Sequence, residues 1–159
     1  MSYLSDTGEI SARFRPAETV ENLAFGSGTI ARLVAPGSAT NGQFGLFEWN
    51  MPAGKGGAEP HFHKTISESF FITEGRVRLF DGAKWATARK GDFLYVPEGG
   101  VHGFKNESGE AASMLILFSP GAPRELFFKE LIDNAVNGVR LSPQEQAEML
   151  ARHDQYSAE

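Results

Sequence analysis

The sequence predicts an all-β domain, a barrel or sandwich of short strands, with a short α-helical appendage at its C-terminal end. From about Thr29 to Ser119, β-branched and aromatic residues come in short runs broken by turn residues. Glycine is abundant at 18 residues and phenylalanine reaches 13, a composition that suits many tight turns between strands. From Arg124 onward the apolar spacing changes to that of a helix. A chain of 159 residues fits a single domain, 1–159, with a barrel core over about 29–119 and helices over about 124–155.

The clearest strand segments are TIARLVA, QFGLFEWNM, ESFFIT, RVRLF, KWATA, DFLYVP and SMLILF. Asp81-Gly82, between RVRLF and KWATA, predicts a two-residue hairpin, because Gly accepts the positive φ that such a turn needs. Gly75 and Gly91 stand where strands are expected to reverse. Residues 1–30 mix polar and apolar side chains and are expected to supply an extra strand. In the first helix, Phe127, Phe128, Leu131, Ile132 and Ala135 share a face, and Asn137-Gly138 ends it. Ser142, Pro143 and Glu145 form the start signal of a second helix, with Glu145 completing a capping box.

Composition excludes several classes of chemistry. There is no cysteine, so disulfides, thiolate metal sites and cysteine nucleophiles are all ruled out. Any metal must be held by nitrogen and oxygen. The formal net charge is −5 with no Lys/Arg cluster, which argues against a nucleic-acid partner. The apolar run Met114–Phe118 is far too short to cross a bilayer, and the N-terminal stretch has no apolar segment resembling a secretory signal. A soluble, cytoplasmic protein with no membrane partner is the expectation.

Chemistry concentrates in two stretches. HFHKTISE places His61 and His63 two residues apart, so on one strand both imidazoles point to the same side. Glu68 lies at an odd offset from them, so Lys64–Ser67 must bend before Glu68, Phe70 and Ile72 share a face. In GDFLYVPEGGVHGFKN, Pro97 and Gly99 mark a turn just before His102, and Phe104 follows on the His102 side. Three imidazoles, with or without the carboxylate, suit one divalent first-row metal ion: iron, nickel, manganese, copper or zinc. Phe70, Ile72 and Phe104 are expected as barrel core and as walls of a substrate pocket above the metal.

These two stretches resemble the paired motifs of the cupin superfamily. His61-x-His63-x4-Glu68-x6-Gly75 matches the first motif except at its opening glycine, where Lys55 stands between Gly54 and Gly56. Gly91-x5-Pro97-x-Gly99-x2-His102-x3-Asn106 matches the second in full. The resemblance covers residues 30 to 120 and implies a single jelly-roll barrel, or double-stranded β-helix. It also implies metal ligation by His61, His63, Glu68 and His102. ITEGRVRLF, GDFLYVPEGGVHGFKN and the downstream PRELFF segment are similar to quercetinase-like dioxygenases. That resemblance implies oxidation of a small aromatic or enolisable substrate, with Glu68 as catalytic base as well as ligand. The alternatives are a Lewis-acid isomerase, cyclase or lyase on the same metal site, and a non-catalytic metal- or small-molecule-binding module.

Other residues carry plainer expectations. His153, near the end of the second helix, reads as solvated surface. Arg76, Arg78, Arg89 and Lys90 fall at turns or outward positions, so the set of several inward basic side chains that a sugar-phosphate isomerase would need is not expected. Phe44, Phe47 and Trp49 suit either a pocket mouth or a dimer interface, and Phe127-Phe128 suits packing of helix on barrel. Exposed sheet edges and the family habit together predict a homodimer.

Overall fold

Period-two alternation decides which side of each strand is buried. The computed structural model describes residues 2–158. Its strands are β1 (Asn22–Ala24), β2 (Ile30–Ala35), β3 (Gly45–Met51), β4 (Gly57–Phe62), β5 (Ser67–Glu74), β6 (Arg76–Phe80), β7 (Trp85–Arg89), β8 (Phe93–Val96), β9 (His102–Lys105), β10 (Ala112–Ser119) and β11 (Tyr156–Ser157). Its helices are α1 (Arg124–Val136) and α2 (Pro143–Arg152). Phe47, Trp49 and Met51 point inward from β3, Glu68, Phe70 and Ile72 from β5, and Met114, Ile116 and Phe118 from β10. Each large apolar side chain so buried contributes about 1.5–3 kcal/mol.

Two antiparallel sheets face each other across this core, one ordered β1-β2-β3-β10-β5-β8 and the other β11-β4-β9-β6-β7. From β4 to β10 the chain passes repeatedly between them, which makes the domain a double-stranded β-helix with a C-terminal helical part. Gly75 and Gly91 serve this winding: at φ +69° and +93° they carry the chain from one sheet to the other instead of closing a hairpin. The β6–β7 hairpin is real, but its loop has four residues and not two. Phe80 pairs with Trp85, the Asp81 N–H donates to Lys84 O at 3.1 Å, and Asp81 Oδ1 accepts from the Ala83 and Lys84 amides at 2.9 Å each. The Asp81 side chain wins over the tighter turn because it satisfies two loop amides.

The extra strand expected from residues 1–30 is β1, which lengthens its own sheet by pairing with β2. Helix α2 starts as read from the sequence: Ser142 Oγ accepts from the Glu145 amide, and Glu145 Oε2 accepts from the Ser142 amide. Beyond α2 the chain returns to the barrel. Tyr156 and Ser157 pair with Phe62 and His61, so β11 covers the outer edge of β4. Nothing in the periodicity announces a strand this short.

Candidate metal centre and its cavity

His61 and His102 stand opposite each other in the β4–β9 pairing, which brings their ring centroids to 4.3 Å. His63 lies one residue past the end of β4. The bend at Lys64 and Thr65 then resets the alternation, and Glu68 enters from β5 in the opposite sheet. The two motifs are also tied directly, since the Gly99 amide donates to His63 O at 2.6 Å. The last residue of the second motif has a structural role: buried Asn106 donates to Pro52 O and Glu110 O and accepts from Ser108.

One ligand atom from each of His61, His63, Glu68 and His102 falls within 4.8 Å of the others, and all four residues are buried. Every Nδ1 has a main-chain carbonyl partner: Glu59 O at 2.7 Å for His61, Asp154 O at 2.6 Å for His63 and Gly100 O at 2.9 Å for His102. A carbonyl only accepts, so each Nδ1 carries the hydrogen and each Nε2 lone pair is left for a metal. Glu68 Oε2 lies 3.0 Å from His63 Nε2 and 2.7 Å from His102 Nε2. Three imidazole nitrogens and one carboxylate oxygen, with no thiolate, fit a divalent first-row ion and leave its identity open.

The electrostatics agree with a shared cationic centre. In the metal-free protein burial would raise the Glu68 carboxyl, but its contacts with the His102 and His63 rings outweigh this and hold it well below the usual carboxylate range; a metal on the same Nε2 atoms would take the place of those contacts. Burial lowers His61 to about 4, and the neighbouring His102 adds to that. At His102 burial acts downward too, yet the bonded Glu68 carboxylate outweighs it and the imidazole is raised.

A cavity of about 480 Å³ opens beside this group, between the barrel and the two helices. Its aromatic wall comprises Phe25, Trp49, Phe104, Phe118, Phe127 and Phe128, and His61, Glu68, Arg124 and Gln155 supply polar surface. Of the three expected pocket residues, Phe104 belongs to this wall. Phe70 and Ile72 are fully buried core residues outside it, with Phe70 packed on the His102 and Phe104 rings. Trp49 lines the cavity, Phe47 is core and Phe44 lies outside it. Phe128 packs on Phe47 and Trp49 of β3, and both Phe127 and Phe128 line the cavity, so the appendage supplies one of its walls.

Three further residues complete the surroundings. Arg124 is buried, donates from Nη1 to His153 O and from Nη2 to Gln155 Oε1, and lies over the Phe118, Phe127 and Phe128 rings. It is a buried basic side chain that the sequence alone did not single out: the PRELFF segment contained it, but helical spacing alone gave no reason to pick it. Asp154 follows α2 at φ +53°. Its carboxylate accepts from the Lys64 and Thr65 amides and from Thr65 Oγ1, while its carbonyl holds His63. His153 is not solvated surface: half-buried, it bonds Glu130 Oε2 through Nε2 at 2.5 Å and packs on Phe127, because the chain after α2 turns back into the barrel.

Residues 47–118 match the family model described as a cupin domain. This match covers the strands that deliver all four candidate ligands, with both motifs in order. The chain carries a cupin domain. Among curated proteins it is similar to quercetin 2,3-dioxygenase of Bacillus subtilis, at 31% identity over 102 residues. That alignment takes in 64% of this chain but only 29% of the longer enzyme. Among solved structures it is similar to KdgF from Halomonas sp. (TM-score 0.59, 17% identity, covering 68% of this chain and 94% of that one). It is also similar to the polyketide cyclase RemF from Streptomyces resistomycificus (TM-score 0.57, 20% identity, 69% and 80%). At these identities the structural likeness speaks for the fold alone.

Proposed function

We propose that this cupin is a metal-dependent dioxygenase acting on a small aromatic or enolisable organic substrate. The observation that carries the reading is the joining of a His₃Glu group to an aromatic-walled cavity through His61 and Glu68, the two ligands that line it. The likeness to a quercetin 2,3-dioxygenase supports it. A divalent metal bound by His61, His63, Glu68 and His102 would supply Lewis acidity and positions open to substrate and dioxygen.

The chain's own residues do the rest. Phe104, Phe118, Phe127 and Phe128 exclude water and hold a flat ring against the ligand group. Glu68 reaches both the cavity and the imidazoles, so it is placed to take a substrate hydroxyl proton on a carboxylate oxygen. The enolate left behind is richer in electrons at the carbon to be oxidised. Asp154 O and Gly100 O, accepting from Nδ1 of His63 and His102, keep those rings in place beside Glu68 during that transfer.

A Lewis-acid isomerase, cyclase or lyase is the second reading, favoured by the inward Arg124, which could neutralise an oxyanion without consuming oxygen. Oxygen uptake separates the two. Protein loaded in turn with iron, nickel, manganese, copper or zinc is mixed with a panel of flavonols and other enolisable aromatics. Uptake above the metal-free control supports the dioxygenase. Substrate conversion without uptake supports the second reading, and tight binding without either supports a non-catalytic module. The homodimer remains part of the proposal: Leu4, Ile10 and Phe14 are exposed on the single chain, as are Phe71, Phe93 and Tyr95 at the β5–β8 edge. Light scattering tests it.

A further inference from the structure

We propose that the cavity takes a flat organic anion, with its ring among the phenylalanines and its oxyanion end received by Arg124 and Trp49. This deepens the proposed function and rests on it for the cavity being the substrate site.

Two walls of the cavity hold buried N–H donors that have no acceptor. Trp49 is 7% exposed and Arg124 4%, both line the cavity, and neither Trp49 Nε1 nor Arg124 Nε finds a partner. A guanidinium presents five N–H groups. Arg124 gives one from Nη1 to His153 O and one from Nη2 to Gln155 Oε1, and its Nε is left without an acceptor. Unmatched donors of this kind are uncommon inside folded proteins, and finding two kinds around one cavity points to an acceptor-rich occupant.

Charge selects among acceptors. The guanidinium feels the carboxylates of Glu68 and Asp154 but hydrogen-bonds to neither. Asp154 is committed to the Lys64–Thr65 loop, and Glu68 to His63 and His102. With a divalent ion among the four ligands, the ion and Arg124 together outweigh these two acids at the inner end of the cavity. The remaining acid of the wall, Glu59, is exposed. A neutral ring would leave this positive field and the Trp49 and Arg124 donors unanswered, whereas a carboxylate or enolate answers both.

The test measures preference, with zinc-loaded protein so that no oxygen chemistry is involved. Binding of 3-hydroxy-2-naphthoate and of 3-hydroxy-2-naphthamide is measured by calorimetry, and the ratio of the two Kd values is the readout. Wild-type protein is expected to favour the acid by about tenfold or more, and R124Q to bring the ratio to about one. The ratio cancels any general loosening of the fold, which would weaken both ligands alike. Equal binding by wild type overturns the proposal. So does a ratio that survives R124Q, because the metal alone would then be choosing the anion. Should R124Q not fold, W49F keeps an aromatic ring in the wall and removes only the indole donor. A fall of about threefold in its ratio supports the proposal, and an unchanged ratio overturns it. A clear anion preference without oxygen uptake by the redox-active forms would sink the dioxygenase reading alone.

Discussion

Replacing Asp154 with glycine should weaken metal binding, although Asp154 is no ligand and lies 52 residues beyond His102, the nearest candidate ligand in sequence (154 − 102). Its carboxylate holds the bend between His63 and Glu68 through three hydrogen bonds, at 2.9 Å from Lys64 N, 2.9 Å from Thr65 N and 2.7 Å from Thr65 Oγ1. Hydrogen bonds at exposed positions are worth about 0.5–1.5 kcal/mol each, and three on one carboxylate do not add in full, so about 2 kcal/mol rests here. Glycine is free of strain at the φ of +53° that Asp154 adopts, so the change isolates the carboxylate.

If that free energy keeps His63 against the Asp154 carbonyl, its loss lowers metal affinity by about 10- to 30-fold, in line with other groups that orient ligands from behind. Zinc affinity measured by competition with a chromogenic chelator reads the effect. Hydrogen exchange over residues 153–158 reports whether β11 has come loose. D154N, which keeps one acceptor oxygen, should fall between D154G and wild type. D154A should lose about 1 kcal/mol more stability than D154G, because alanine is strained in the left-handed region. A D154G protein that binds zinc within about twofold of wild type would refute the claim that the C-terminal segment positions His63.

Three further outcomes follow from the same geometry. E68Q should retain metal on its three imidazoles yet lose turnover by about 100-fold or more, read by elemental analysis and oxygen uptake; an unchanged rate removes Glu68 as the base. In metal-free protein, His61 has a folded pKa of about 4 against 6.5 for the unfolded chain. The unfolded chain therefore takes up the proton first on acidification, and stability falls from about pH 6.5 toward pH 4. The loss reaches about 2.5 kcal/mol at pH 4.5, measured as a urea midpoint that H61Q should make less sensitive to acid. Gly57→Ala should destabilise the fold by about 1–3 kcal/mol and weaken zinc binding too: at φ +152° a Cβ there would lie 2.5 Å from Phe104 O and push β4 off β9, the pairing that sets His61 opposite His102. A thermal melt and the chelator titration check both parts.

What could be read from the sequence was whatever local spacing determines. Short apolar runs between turn residues marked the segments that form β3 and β10, and the capping box placed the start of α2. His61, His63 and His102 were legible because a metal demands convergence, whereas Glu68, at an odd offset from them, joined the ligand set through the resemblance to the cupin motif. Spacing fails where a residue's role depends on a partner distant along the chain. Phe70 and Ile72 share a face with Glu68, yet only Glu68 reaches the cavity, since the helices enclose it beside β4 and β9 and not over the middle of β5. Arg124 and Asp154 carry no motif, and each acquires its meaning from the fold of the last residues back onto β4. The appendage that looked like packing from periodicity therefore supplies the cavity's outer wall, its buried cation and the carbonyl behind one ligand. A cupin motif read alone identifies the metal group, while the specificity of this chain lies in the segment the motifs do not include.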